Sequence, residues 1–207
     1  MGGTSGQVEH EGANAMVLWG MTLGLAAIIL LATGYGTRAQ TREHWPRVWI
    51  VIGAAAIWIA AWWPPEPWGH RWVVNPGVAA VGIGAALLLF RARDHRGAAL
   101  AATLGLVGMV VRLIAPFSLH QASVIPQASL ESVGLGAAAG MGTGRPGGAS
   151  AAAALAECIA GFLTASVHMG VHQVGRGDFA AVTLAALAAW VTGWVTEGVG
   201  ASWRKPA

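Results

Sequence analysis

Of the 207 residues, 55% are apolar and only 10% charged, against roughly 25% charged in a typical soluble domain, so the composition points to a membrane protein. The formal charge of +3 comes from arginines scattered over short loops, with no basic stripe or interleaved aromatics, which excludes a nucleic-acid partner. A single cysteine, Cys158, excludes both a disulfide framework and a Cys-based zinc site within the chain.

The N-terminal stretch 1–15 carries Glu9 and Glu11 and no Lys or Arg. A cleaved signal needs a positive n-region, so none is expected. Apolar runs follow at Met16–Gly36, Val48–Trp63, Trp72–Phe90, Ala98–Ser118, Ala149–His172 and Phe179–Thr196, most of them near the ~20 residues that cross about 30 Å of hydrocarbon. Val48–Trp63 is short, but Trp45 and Trp49 at one end and Trp62, Trp63 and Trp68 at the other sit like interfacial anchors. The polar stretches between the runs are too short for a folded soluble domain. The expected organisation is an extracytoplasmic tail at 1–15, one transmembrane helical domain at 16–203 and a cytoplasmic tail at 204–207.

One further segment, ASLESVGLGAAAGMGTG at 128–144, is short and glycine-rich, and hydropathy does not decide whether it crosses. Charge helps, because short cytoplasmic loops collect Lys and Arg. If 128–144 crosses, Arg38, Arg42, Arg47, Arg91, Arg93, Arg96, Arg145, Arg204 and Lys205 all fall inside, leaving Arg71 and Arg176 outside. If it does not cross, Arg145, Arg204 and Lys205 move outside and the bias weakens. The expected fold is therefore all-α: a polytopic bundle of seven transmembrane helices with the N-terminus outside the cell membrane. Six spans plus a re-entrant segment is the alternative, tolerated where protein or water covers the backbone.

Gly136, Gly140 and Gly144 form GxxxGxxxG, and Gly20 and Gly24 repeat the spacing once. Such a face lets another helix backbone approach closely. GTGRPG at 142–147 matches the dinucleotide fingerprint, but no strand precedes it, Pro146 interrupts it and no acidic residue stands about 20 positions on. It reads as a turn between two helices. No internal repeat is evident, and tryptophan is absent between Trp72 and Trp190, which leaves a middle built from small and aliphatic residues and suited to tight packing.

The chemistry concentrates in ECIAGFLTASVHMGVH, 157–172. Glu157, Gly161, Thr164, His168 and His172 fall on one face at 3.6 residues per turn. Ionisable groups inside a membrane cost about 2.5–3.5 kcal/mol on insertion scales and face a bundle interior or a water-filled cavity, so the stripe should point inward. His168 and His172, one turn apart, could share a metal as paired helical histidines do. A closed site needs four ligands, and His120, Glu131 or His70 would have to join. The alternative is that His172 sits at the interface and His168 bonds a neighbouring helix. Arg112 shares a face with Gly105 and Gly108 and either meets Glu157 or Glu131 in the interior or snorkels to the headgroups. Glu197, near the end of the last run, reads as interfacial.

The LWG at 18–20 that opens the first run, the charged turn RAQTREHWPR at 38–47 and the small-residue late helices resemble the YphA-type small multi-pass membrane proteins of Gram-positive bacteria. That resemblance implies a membrane location and no particular activity. The residues themselves support translocation of a small solute, proton or cation along Arg112, Glu131, Glu157, His168 and His172, with Glu157 as the carrying carboxylate. Two other readings stand beside it: a membrane scaffold or homo-oligomer packing through its glycine faces, and a metal- or haem-binding protein using the His168/His172 pair. No Ser-His-Asp arrangement, phosphate loop or cysteine cluster marks an enzyme, and no cofactor is expected.

Overall fold

The computed structural model describes residues 18, 21–22, 24–26, 47–68, 71–114, 127–167 and 172–203. In chain order the elements are α1 (Arg47–Trp62), β1 (Glu66–Trp68), β2 (Trp72–Val74), α2 (Pro76–Arg91), α3 (His95–Ile114), α4 (Gln127–Thr143), α5 (Pro146–Val167), β3 (His172–Val174) and α6 (Arg176–Trp203). The described residues are mostly helical, and those at 18, 21–22 and 24–26 are helical too. Gly20, His70, His120, His168, the stretch 1–17 and the tail 204–207 lie outside the described residues.

Local chemistry sets the helix boundaries. Asn75 caps α2: its Oδ1 accepts the backbone N–H of Gly77 at 2.9 Å and of Val78 at 3.4 Å, and Pro76 follows at the first helical position, where its missing N–H costs nothing. The same side chain donates from Nδ2 to the carbonyls of Ala61 (3.0 Å) and Trp63 (3.2 Å). One buried amide thus joins the end of α1 to the start of α2. Asp94 starts α3 by accepting the Gly97 N–H at 2.8 Å. The GTGRPG stretch is indeed a turn: Gly144 ends α4 at φ +60°, its N–H on the Gly140 carbonyl, and Pro146 opens α5.

The central element is α5, which packs against α2, α3, α4 and α6. Its alanines at 149, 151–154, 156 and 160 are all buried. A helix apolar all round belongs in an interior, and alanine on every side lets four neighbours come close. Ala139, Ala149, Ala153, Ala185 and Ala189 form a core between α4, α5 and α6 at one end. A second core of Val74, Val78, Leu89, Cys158, Val174, Phe179 and Val182 lies between α2, α5, α6 and the strands.

Among the described residues, three helical stretches are long and apolar enough to cross a membrane: His95–Ile114, Pro146–Val167 and Gly177–Val199. At 1.5 Å per residue the shortest of these is about 30 Å long. The seven-span expectation is therefore met only in part. The 16 residues each of α1 and α2 fall below that length, and α4, one uninterrupted helix of 17 residues over the doubtful glycine-rich segment, reaches about 25 Å.

Part of the shortfall has a definite cause. Two apolar runs read as wholly helical are trimmed: Trp72–Val74 leaves the start of Trp72–Phe90 and His172 leaves the end of Ala149–His172, because Trp72–Val74 and His172–Val174 join a three-stranded sheet in the order β1-β2-β3. β1 pairs antiparallel with β2, and β2 parallel with β3, with Trp72 opposite His172 and Val74 opposite Val174. The ladder continues through the Asn75 N–H on the Val174 carbonyl at 2.8 Å and the His172 N–H on the Arg71 carbonyl at 2.7 Å. β-Branched and aromatic residues suit such a pleated surface. The sheet ties the α1–α2 connection to the α5–α6 connection and starts α2 and α6 side by side.

Candidate functional site

Close helix packing brings the ionisable residues together. A Cβ added at Gly105 would lie 2.7 Å from Ile159 Cγ2 and 3.1 Å from the Ala156 carbonyl, and one at Gly108 would lie 3.0 Å from Leu135 Cδ1 and 3.1 Å from Ala160 Cβ. With no side chain at either position, the last turns of α3 settle against α4 and α5. Arg112, one turn after Gly108, is thereby carried into the bundle.

Its guanidinium binds two carboxylates from two helices. Arg112 Nε donates to Glu131 Oε1 of α4 at 2.8 Å, and Nη2 donates to Glu157 Oε2 of α5. The snorkelling alternative for Arg112 is not what the structure adopts. Glu131 retains 8% of its side-chain exposure and Glu157 1%. Glu157 Oε1, the second oxygen of this most buried group, has no hydrogen-bond partner among the described residues.

A fourth ionisable residue belongs to the same neighbourhood. Asp178, in the first turn of α6, accepts the Gly175 N–H on Oδ2 at 2.8 Å, the acidic half of a capping box. Its other oxygen approaches Arg112 over Gly161: a Cβ at that glycine would stand 3.4 Å from Asp178 Oδ1 and 3.7 Å from Arg112 Nη1. Gly161 thus leaves a gap between the two charges. The cluster holds one guanidinium and three carboxylates, drawn from α3, α4, α5 and α6.

Sequence periodicity puts Glu157, Gly161 and Thr164 on one helix, and all three lie on α5, but α5 ends at Val167. His172 lies instead on β3, and His168 lies outside the described residues. The His172 ring is held by local contacts: Nδ1 is 2.6 Å from the Ala165 carbonyl in the last turn of α5, and the ring sits 4.6 Å from that of Trp72, which in turn meets Phe162 at 5.6 Å. Among the described residues no three His, Cys, Asp or Glu side chains are grouped so as to hold a metal ion. His172 is a bracket between the sheet and α5. Glu197 is exposed near the far end of α6.

The glycine faces are covered from within the chain. A Cβ at Gly136 would collide with the Ala185 carbonyl and come within 2.9 Å of Ala188 Cβ, and one at Gly140 would collide with Thr192 and lie 2.8 Å from the Ala189 carbonyl. The partner of that groove is α6. Gly24 faces Trp58, 3.1 Å from Cδ1, and Thr183, 3.9 Å away, while Gly144 serves the turn.

Asp178 is the member that sequence reasoning missed. The last apolar run begins at Phe179 and so omits Asp178, although Gly175 followed three residues later by an acid and then an apolar run is a helix-start signal. No family model, curated protein or solved structure matches the chain, so the class of the protein rests on its helices and on this site.

Proposed function

We propose that the chain is a multi-pass helical membrane protein of the cell membrane that handles a proton or small cation at the Arg112–Glu131–Glu157 cluster, as part of translocation. The observation that carries the reading is Glu157: almost wholly buried, sharing Arg112 with Glu131 and, among the described residues, left with one oxygen unpartnered. A purely structural ion pair is best made neutral, since buried charge without a counter-charge costs several kcal/mol. An excess of carboxylates calls for a further positive species. The membrane reading draws support from the outward apolar residues, such as Phe90 at 84% exposure and Trp194 at 66%, which lipid would cover. Seven spans remain the arrangement that best segregates the arginines, and this puts the sheet end of the bundle outside.

The test is reconstitution into liposomes with an entrapped pH dye and imposed proton, sodium or potassium gradients. Native protein is expected to carry flux that Glu157→Gln, which keeps shape and cannot ionise, abolishes. Flux undiminished in a folded Glu157→Gln variant overturns the reading, as does absence of flux from folded native protein under every gradient.

A further inference from the structure

We propose that the species taken up at this cluster is a proton, bound by Glu157, and that Asp178 controls how tightly it is held by competing with Glu157 for Arg112. The inference rests on the reading of the cluster as an ion-handling site and names its substrate class. It starts from the unpartnered Glu157 Oε1, buried within a group of carboxylates. The occupant follows from what surrounds that oxygen.

From α3 comes Arg112, from α4 Glu131 and from α6 Asp178, while α2 presents Val78 and Gly82 beside Cys158 and no titratable side chain among its described residues there. A metal cation would have to sit against the guanidinium that both glutamates already bind, and the carboxylates do not converge as metal ligands. A proton needs no coordination shell. It adds to one carboxylate oxygen, forming an O–H bond and cancelling one negative charge, with Arg112 charged throughout.

Uptake leaves Arg112 with a weakened partner, and here Gly161 matters. Because that residue has no side chain, Arg112 Nη1 and Asp178 Oδ1 border one gap, both within 3.7 Å of the point that a Cβ would occupy. Asp178 is thus a positioning residue. It stabilises the state in which Glu157 is protonated and Arg112 leans towards α6.

The test is an infrared pH titration of the purified, detergent-solubilised chain, following the carbonyl stretch of a protonated carboxylic acid between about pH 4 and 9. A band present in the native protein and missing in Glu157→Gln assigns the proton. In Asp178→Asn, whose amide oxygen can still accept the Gly175 N–H, the midpoint of that band is expected to move to lower pH by about one unit, a tenfold weaker hold. Asp178→Glu should restore it. Gly161→Ala serves as a second variant, since its methyl group would make ordinary contacts at 3.4 and 3.7 Å yet fill the gap, and should shift the midpoint in the same direction. No band dependent on Glu157, or one whose midpoint is the same in Asp178→Asn and Gly161→Ala, overturns the proposal. The measurement needs no transport, so a band that behaves as expected alongside absent flux would retire the translocation reading and keep this one.

Discussion

Replacing Arg112 by methionine tests the cluster as an energetic unit. The variant keeps an apolar stem of similar reach and removes the charge that Glu131 and Glu157 share. Breaking a buried ion pair from one side costs about 3–5 kcal/mol, because the remaining charge has no compensation. Glu157 bears that penalty most fully, being the most buried of the three, whereas the residual exposure of Arg112 and Glu131 argues for the lower end, about 3 kcal/mol. For a chain of this size that corresponds to a fall in Tm of about 6–12 °C. Thermal unfolding in detergent, followed by the fluorescence of the eleven tryptophans, reads it directly. The loss should shrink as pH is lowered, since protonated carboxyl groups need no counter-charge. Combining Arg112→Met with Glu131→Gln and Glu157→Gln should recover most of the stability, the neutral triple having no stranded charge. A single variant within about 1 kcal/mol of native, or a triple as unstable as the single, would refute the reasoning.

Two comparisons probe the packing that builds the site. Gly140→Ala pushes a methyl group into Thr192 and the Ala189 carbonyl of α6 and is expected to lose about 1–3 kcal/mol, whereas Gly134→Ala, with nothing within 4 Å, should gain about 0.5–1 kcal/mol from helix propensity; equal effects in thermal melts would contradict the α4–α6 contact. Asn75→Ala removes the α2 cap and strands the carbonyls of Ala61 and Trp63, an expected loss of about 2–4 kcal/mol, while Asn75→Ser, which keeps a capping oxygen, should lose less. Equal melting temperatures for these two Asn75 variants would deny the cap its share.

The sequence by itself determined the helical, apolar character of the chain, because composition and run length are local quantities. It also determined that Glu157, Gly161 and Thr164 share a helix face, since 3.6-residue periodicity needs no knowledge of neighbours, and that 142–147 is a turn, since Gly144 and Pro146 act on their own backbone. The tertiary structure decided what those faces meet. Whether Arg112 turns inward depends on how near α4 and α5 come to Gly105 and Gly108, and that distance is a property of three helices together. The covering of Gly136 and Gly140 by α6 is of the same kind, because a GxxxG face is equally suited to a helix of its own chain or another. The sheet was illegible for a related reason: Trp72–Val74 and His172–Val174 are only three residues each, too short to carry a period of their own. Their parallel pairing joins residues a hundred positions apart, and this long-range contact shortens α2, ends α5 before His172 and sets Asp178 into the first turn of α6, within reach of Arg112.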